Sequence, residues 1–296
     1  MSKKYLAYTL LVCTTLIWSV NFIIGKFAYL FEVPPLSLNF IRWALVWVLL
    51  FPFTYKEIFL NIKLIKKNII YLTILAITSV SAFNSLVYLS LNYTQAIDTI
   101  LMISIIPVFV LFLSSILGVE KFKFIQFVGL IVSFTGVLII FSHADLGKII
   151  NLNFNKGNGW MLLAVFSWAL YSSLLKKKKL PFSTLGLVEI LASIGLIFLI
   201  PQFIGEQMYG KEIKFNKAFF FILSFVTLFA SIGAYYSWNR AIELIGPNRA
   251  SIFLHLMPVF GVILAIVLLK EKFQIYHFFG AGFIVTGIYL SNRKTQ

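Results

Sequence analysis

Apolar and polar positions along the chain fall into long blocks instead of alternating residue by residue. About ten apolar runs are separated by short polar breaks, near 5–25, 36–53, 69–91, 94–118, 122–141, 158–175, 183–204, 218–239, 247–269 and 273–291. Each approaches the roughly 20 residues that a helix needs to cross a hydrocarbon layer about 30 Å thick. Hydrophobic residues make up 60% of the 296-residue chain and charged residues 12%. A soluble chain carries about twice that charged fraction. The expected fold is all-α, a polytopic membrane protein of ten transmembrane helices with a lipid bilayer as its surroundings.

A repeat divides the runs into two sets of five. Pro107-Val108-Phe109 returns about 151 residues later as Pro258-Val259-Phe260, and Glu120-Lys121-Phe122 returns as Glu271-Lys272-Phe273. Gly129, Thr135 and Gly136 return as Gly280, Thr286 and Gly287 in one unbroken register. Self-similarity of this kind marks a duplicated unit. Because five spans is an odd number, the second set enters the membrane from the opposite face, so the repeat is inverted. Transporters are often built from two such halves. The expected organisation is a first five-helix repeat at 1–141, a linker loop at 142–157 and a second repeat at 158–296.

Charge then sets the orientation. A net charge of +15 would suggest anionic partners for a soluble protein. In a membrane protein Lys and Arg gather in cytoplasmic loops, so no nucleic-acid partner is expected. With the N-terminus inside, the inner side receives sixteen Lys and Arg residues and the outer side eight, leaving Arg42 within a span. Lys176 to Lys179, directly at a helix end, are the strongest anchor, and both termini are expected in the cytoplasm. The apolar stretch after Lys3 and Lys4 is too long for a secretory signal and lacks its cleavage pattern, so it reads as the first span.

Few residues offer covalent or metal chemistry. Cys13 is the only cysteine and the three histidines are scattered, which argues against disulfides and metal clusters. No Walker loop, dinucleotide fingerprint or nucleophile elbow is present. No ATP-driven pump, no enzyme and no cofactor are therefore expected. A membrane-embedded lipid enzyme would call for a cluster of His, Asp or Glu, and only His143 and Asp145 lie near each other.

Polar groups within spans must face a cavity or another helix, since lipid offers no hydrogen bonds. Thr14, Trp18, Asn21 and Gly25 share one face of the first helix, and Ala164, Trp168, Tyr171 and Leu175 one face of the sixth. Trp18 and Trp168 occupy matching places in the two repeats. The third helix contributes Ser81, Asn84 and Tyr88, the eighth Ser231, Tyr235 and Trp238. Two roles fit these stripes. They converge on a central substrate pocket at the repeat interface, or they form interfacial belts and helix-to-helix glue. Pro107 and Pro258 fall mid-span in the fourth and ninth helices and predict kinks, serving as hinges or as static bends. Arg42 and Glu189 match across the repeat, as gating partners or as anchors reaching the interface. His255 is either a proton-responsive group or a histidine bonded to a neighbouring helix.

Ten spans in two inverted sets of five, with central prolines in the fourth and ninth, resemble the drug/metabolite transporter superfamily. The turn Gly118-Val119-Glu120-Lys121 and its partner Leu269-Lys270-Glu271-Lys272 resemble the turn of its EamA-type members, as do the Trp18–Asn21 stretch and Arg42. The resemblance covers essentially the whole chain. It implies a bacterial inner-membrane carrier with both termini cytoplasmic, commonly exporting amino acids or other small metabolites. Because the predicted stripes contain no Lys or Arg, and phosphate calls for charge-assisted partners, the expected substrate is small and neutral or zwitterionic, such as an amino acid or an amine. No carboxylate is expected at the midplane, which favours facilitated diffusion or exchange over a carboxylate-driven proton pump; the expected carrier is an exporter or exchanger working by alternating access. A lipid flippase or scramblase of the same fold is the alternative. The oligomeric state, monomer or homodimer, is left open.

Overall fold

The computed structural model describes residues 3–94, 96–143, 145, 147, 155–209, 212–269 and 273–293. Among these, every regular element is helical. In chain order they are α1 (Lys3–Leu30), α2 (Pro35–Leu60), α3 (Ile69–Leu91), α4 (Ala96–Ile103 and Ile106–Ile116) and α5 (Phe124–Ser142). The second half holds α6 (Lys156–Leu174), α7 (Thr184–Met208), α8 (Lys217–Ile245), α9 (Pro247–Ser251, Ile252–His255 and Leu256–Leu269) and α10 (Ile275–Asn292). A short helix, Ile62–Lys67, joins α2 to α3. Eight of these helices are long and apolar enough to cross a membrane. The other two, α6 and α10, are 19 and 18 residues long. Lys156 and Asn158 in α6, and His277 and Asn292 in α10, dilute their apolar character. The repeated turn at Lys270, Glu271 and Lys272 lies outside the described residues, as do Lys148, Lys211 and Lys294 from the charge comparison and most of the linker loop.

Local sequence explains where the helices start. Pro35 opens α2, where a missing N–H costs nothing. The side chains of Asn155, Ser183 and Asn216 accept hydrogen bonds from Asn158 N, Gly186 N and Phe219 N, capping α6, α7 and α8. Within the spans, hydroxyls turn back on their own helix: Thr14, Thr15 and Ser19 donate to Leu10 O, Leu11 O and Thr15 O at 2.7–2.9 Å. Each of these buried hydroxyls thus finds an acceptor on its own helix.

The two halves are entwined. α1 packs chiefly on α8, and α6 on α3 and α4, so each half's first helix lies against the other half. The equivalent helices α2 and α7 pair directly, with Phe40 stacked on Phe203 at 4.7 Å between ring centres. α5 and α10 form the closest pair of all, and they run antiparallel. A Cβ added at Gly129 would lie 2.6 Å from Gly287 O, and one at Gly136 would lie 2.5 Å from Gly280 O. Contact that close between backbones is possible only with glycine at these positions.

Four helices are interrupted, and the interruptions match across the repeat. α3 carries a π-helical stretch at Ile77–Phe83 and α8 one at Val226–Gly233. α4 breaks at Ser104 and Ile105, and α9 narrows to a 3₁₀ turn at Ile252–His255. The prolines expected in mid-helix thus sit just after a break: Pro107 in the first turn of Ile106–Ile116, Pro258 near the start of Leu256–Leu269. Proline lacks the N–H that a continuous helix would need there.

Candidate functional site

π-helical stretches release backbone carbonyls from the regular ladder, and side chains from other helices take them up. Trp18 Nε1 donates to Ala230 O at 3.2 Å, and Ser167 Oγ to Thr78 O at 2.8 Å. Tyr235 donates its hydroxyl to Ser79 O at 2.8 Å and accepts from Asn84 Nδ2 at 2.8 Å. Asn39 Nδ2 reaches Val80 O at 3.3 Å. Each π stretch therefore anchors residues of the opposite half.

These bonds hold an aromatic chamber at the centre of the bundle. Trp18 and Trp168, matched in the sequence, meet edge to face at 5.1 Å between ring centres. Tyr235 stands 5.3 Å from Trp168 and Trp238 5.4 Å from Trp18. Edge-to-face pairs at such spacing are favourable beyond their buried area. Of the eight residues expected to bind substrate, Trp18, Asn21, Asn84, Tyr88, Trp168 and Tyr235 line one cavity. Its free space is only about 20 Å³, room for a single water. The chamber is closed around itself.

Tyr171 and Trp238 are placed one layer behind. Tyr171 donates its hydroxyl to Asn239 Oδ1 at 2.6 Å, and Trp238 Nε1 donates to Ser172 Oγ at 3.3 Å. Beyond this layer opens a vestibule of about 360 Å³, on the side that carries Lys176, Lys178 and Lys179 and lined also by Tyr71, Asn239 and Glu243. On the opposite side contacts are tight. Glu206 accepts from Ser37 N at 2.6 Å and from Ser37 Oγ at 2.8 Å, while Lys26 Nζ donates to Leu91 O and Thr94 O, covering carbonyls at the end of α3.

Arg42 is the largest departure from the sequence expectation. It is 1% exposed and lines the chamber, where no cation was predicted. Its Nε donates to Ser231 Oγ at 2.5 Å and its Nη1 to Tyr88 OH at 2.8 Å. Being in the second helix, it belongs to none of the four polar stripes, and its distance from the helix end leaves gating partner and anchor both open. Glu189 does not reach the interface either: it is fully buried, and neither carboxylate oxygen has a partner. No ion pair joins it to Arg42 among the described residues. The remaining lining residues, Phe22, Phe83, Val87 and Met257 among them, are apolar and gave no signal in a chain this hydrophobic.

His255 lies outside the chamber, bridging α9, α4 and α5. Its Nε2 contacts Ser104 O at 2.9 Å and its Nδ1 contacts Ser133 Oγ at 2.7 Å. A carbonyl only accepts, so Nε2 carries the proton and Nδ1 accepts from the serine. Glu120 of the repeated turn is equally structural. It accepts from Asn248 N and from Lys176 Nζ, each at 3.2 Å, and lies over Gly246, whose φ of +86° suits glycine.

The EamA-like transporter family matches the chain twice, over residues 5–142 and 155–293. The chain belongs to the EamA-like transporter family. It is accordingly a multi-pass membrane transporter. A relative from Archaeoglobus fulgidus named "Uncharacterized transporter" is 28% identical over 293 residues, covering 99% of this chain and 98% of that one. A "Probable amino-acid metabolite efflux pump" from Escherichia coli is 25% identical over 300 residues, covering 98% and 95%. A solved crystal structure superposes with a TM-score of 0.72 over 98% of this chain and 96% of the other, at 13% identity, a likeness that shows the fold alone.

Proposed function

We propose that the aromatic chamber is the transport site of a secondary carrier for small metabolites such as amino acids, exporting or exchanging them by alternating access without ATP. The observation that carries this reading is the convergence of both repeats, with both π-helical stretches, on one closed space lined by Trp18, Asn21, Asn84, Tyr88, Trp168 and Tyr235. Paired interruptions in repeat-related helices are what a moving binding site needs. Ten spans in two inverted sets of five, with α6 and α10 counted, is supported by the antiparallel, glycine-to-glycine pairing of α5 and α10. The Lys176 side is the cytoplasmic one by the positive-inside rule, in a bacterial plasma membrane with both termini inside. The vestibule there and the tight contacts opposite describe a carrier approached from the cytoplasm. The layer of Tyr171 with Asn239 and Trp238 with Ser172 then lies between vestibule and chamber.

Rocking of the two halves about the breaks before Pro107 and Pro258 would pass the chamber from one side to the other. The name of the Escherichia coli relative supports amino-acid-like cargo. A chamber enclosed by rings, without a lipid-facing mouth among its lining residues, weighs against the scramblase reading. Counterflow of radiolabelled amino acids in proteoliposomes tests the proposal. Uptake by the wild type and its loss in Trp18→Ala and Asn84→Leu are expected; equal uptake by both variants would refute it.

A further inference from the structure

Resting on the chamber being the transport site, we propose that Arg42 is a carboxylate subsite. The cargo then carries one free carboxylate, and its amino group is received by Asn21. Arg42 is 99% buried by its 1% exposure, yet no acidic side chain pairs with it among the described residues. Its two hydrogen-bond partners, Ser231 and Tyr88, are neutral hydroxyls. A guanidinium has about five N–H donors, so these two bonds leave the rest of the fork unused beside the cavity. The rings of Trp43 and Tyr88, at 5.6 and 5.9 Å from its central carbon, soften the burial without neutralising the charge.

A buried charge kept without a counter-ion is costly, and a carboxylate arriving with the cargo supplies the missing partner. The planar fork matches a carboxylate with two parallel bonds. One cation balances one negative charge, so a phosphate ester carrying close to two would leave an excess in an otherwise uncharged chamber. Asn21 adds the complementary group: its Oδ1 is buried without a donor and the residue lines the same cavity. The faces of Trp18 and Trp168 suit an ammonium beside it. Simple amines, lacking the carboxylate, would meet Arg42 with like charge.

Intrinsic tryptophan fluorescence of the purified carrier gives a direct test, since Trp18 and Trp168 form part of the chamber wall and Trp238 packs against both. Titrations would use alanine, leucine, threonine and phenylalanine, their methyl esters, the corresponding decarboxylated amines, and glycerol phosphate. At least one free amino acid is expected to bind at least tenfold more tightly than its ester and amine. Arg42→Gln should erase that preference and Arg42→Lys retain part of it. The acid-to-ester ratio in the wild type stands as a test even if Arg42→Gln does not fold. Esters or amines binding as tightly as acids, binding of glycerol phosphate alone, absence of any acid binding, or a folded Arg42→Gln that keeps the preference would each overturn the proposal. Ligand binding that Trp168→Phe weakens but that ignores the carboxylate would remove the Arg42 subsite and leave the transport site standing. A carboxylate preference untouched by both Trp168→Phe and Arg42→Gln would remove the transport-site reading itself.

Discussion

The α5–α10 seam and the aromatic chamber are built from the same repeat by opposite means. At the seam, glycines bring backbones into contact and hydroxyls tie the helices together: Ser291 Oγ donates to Gln126 O at 2.9 Å and Ser133 meets His255, while Gln126 Oε1 and Asn292 Oδ1 are buried without partners. In the chamber, bulky rings keep backbones apart, the helices are interrupted, and Asn21 Oδ1 and Trp168 Nε1 are buried without partners. Buried polar atoms without partners cost about 1–3 kcal/mol each. Such atoms occur in both regions, so what sets the chamber apart is the enclosed space at its centre and the interrupted helices around it. The seam serves as scaffold and the chamber as the working part.

The largest expected effect is at the chamber. Trp168→Ala empties a fully buried ring and by analogy with soluble cores costs about 3–5 kcal/mol. It should lower the melting temperature in detergent sharply and abolish counterflow. Next comes the seam: Gly136→Leu forces a side chain onto Gly280 O, and overpacking of this kind costs about 1–3 kcal/mol or more. Its melting temperature should fall while the surviving folded carrier keeps wild-type substrate preference. A change in preference from Gly136→Leu, with little loss of stability, would break the division between scaffold and site.

Smaller effects sharpen the comparison. Tyr171→Phe removes one hydrogen bond from the layer between chamber and vestibule, worth about 1 kcal/mol. Counterflow should become faster on the Lys176 side, with substrate preference retained; an unchanged rate would mean that this layer is not a barrier. The smallest effect is at the surface pair of Glu32 and Lys214. The Lys214 ammonium, by hydrogen bond and charge, holds the Glu32 carboxyl below its ordinary value, and Glu32 raises Lys214 in return. The stabilisation from Glu32 is present above the usual carboxylate pKa and lost as pH falls through its lowered folded value. That from Lys214 is present below the usual lysine pKa and lost as pH rises through its raised one. Exposed pairs are worth little, so Glu32→Gln should barely move the melting temperature at neutral pH and should flatten its acid limb. A large drop at neutral pH would show that this loop pair latches the closed side.

Much of this was legible from residue types alone. Matching Trp18 with Trp168 by the repeat placed two rings that do meet, and the polar stripes named six of the lining residues. Period-of-four spacing works for these because tryptophan and asparagine are rare enough in apolar spans to stand out. Tyr171 and Trp238 lay on the same stripes and fell one layer away, since a stripe gives the face of a helix but not its depth toward the centre. The stripes leave out Arg42 for a related reason. Distance from a helix end says how far a side chain must reach for water, whereas its direction depends on how α2 sits against α3 and α8.

By itself, the sequence determined the class, the duplication and the family, because long apolar runs, a fixed register and recurrent prolines survive any detail of packing. Only the tertiary structure decided that each half's first helix lies on the other half, that α3 and α8 are π-helical where they meet it, and that Arg42 faces the chamber unpaired. A π-helical stretch leaves no mark in residue types: it is stabilised by donors such as Trp18, Ser167 and Tyr235 arriving from elsewhere in the bundle, and those partners exist only once the chain has folded.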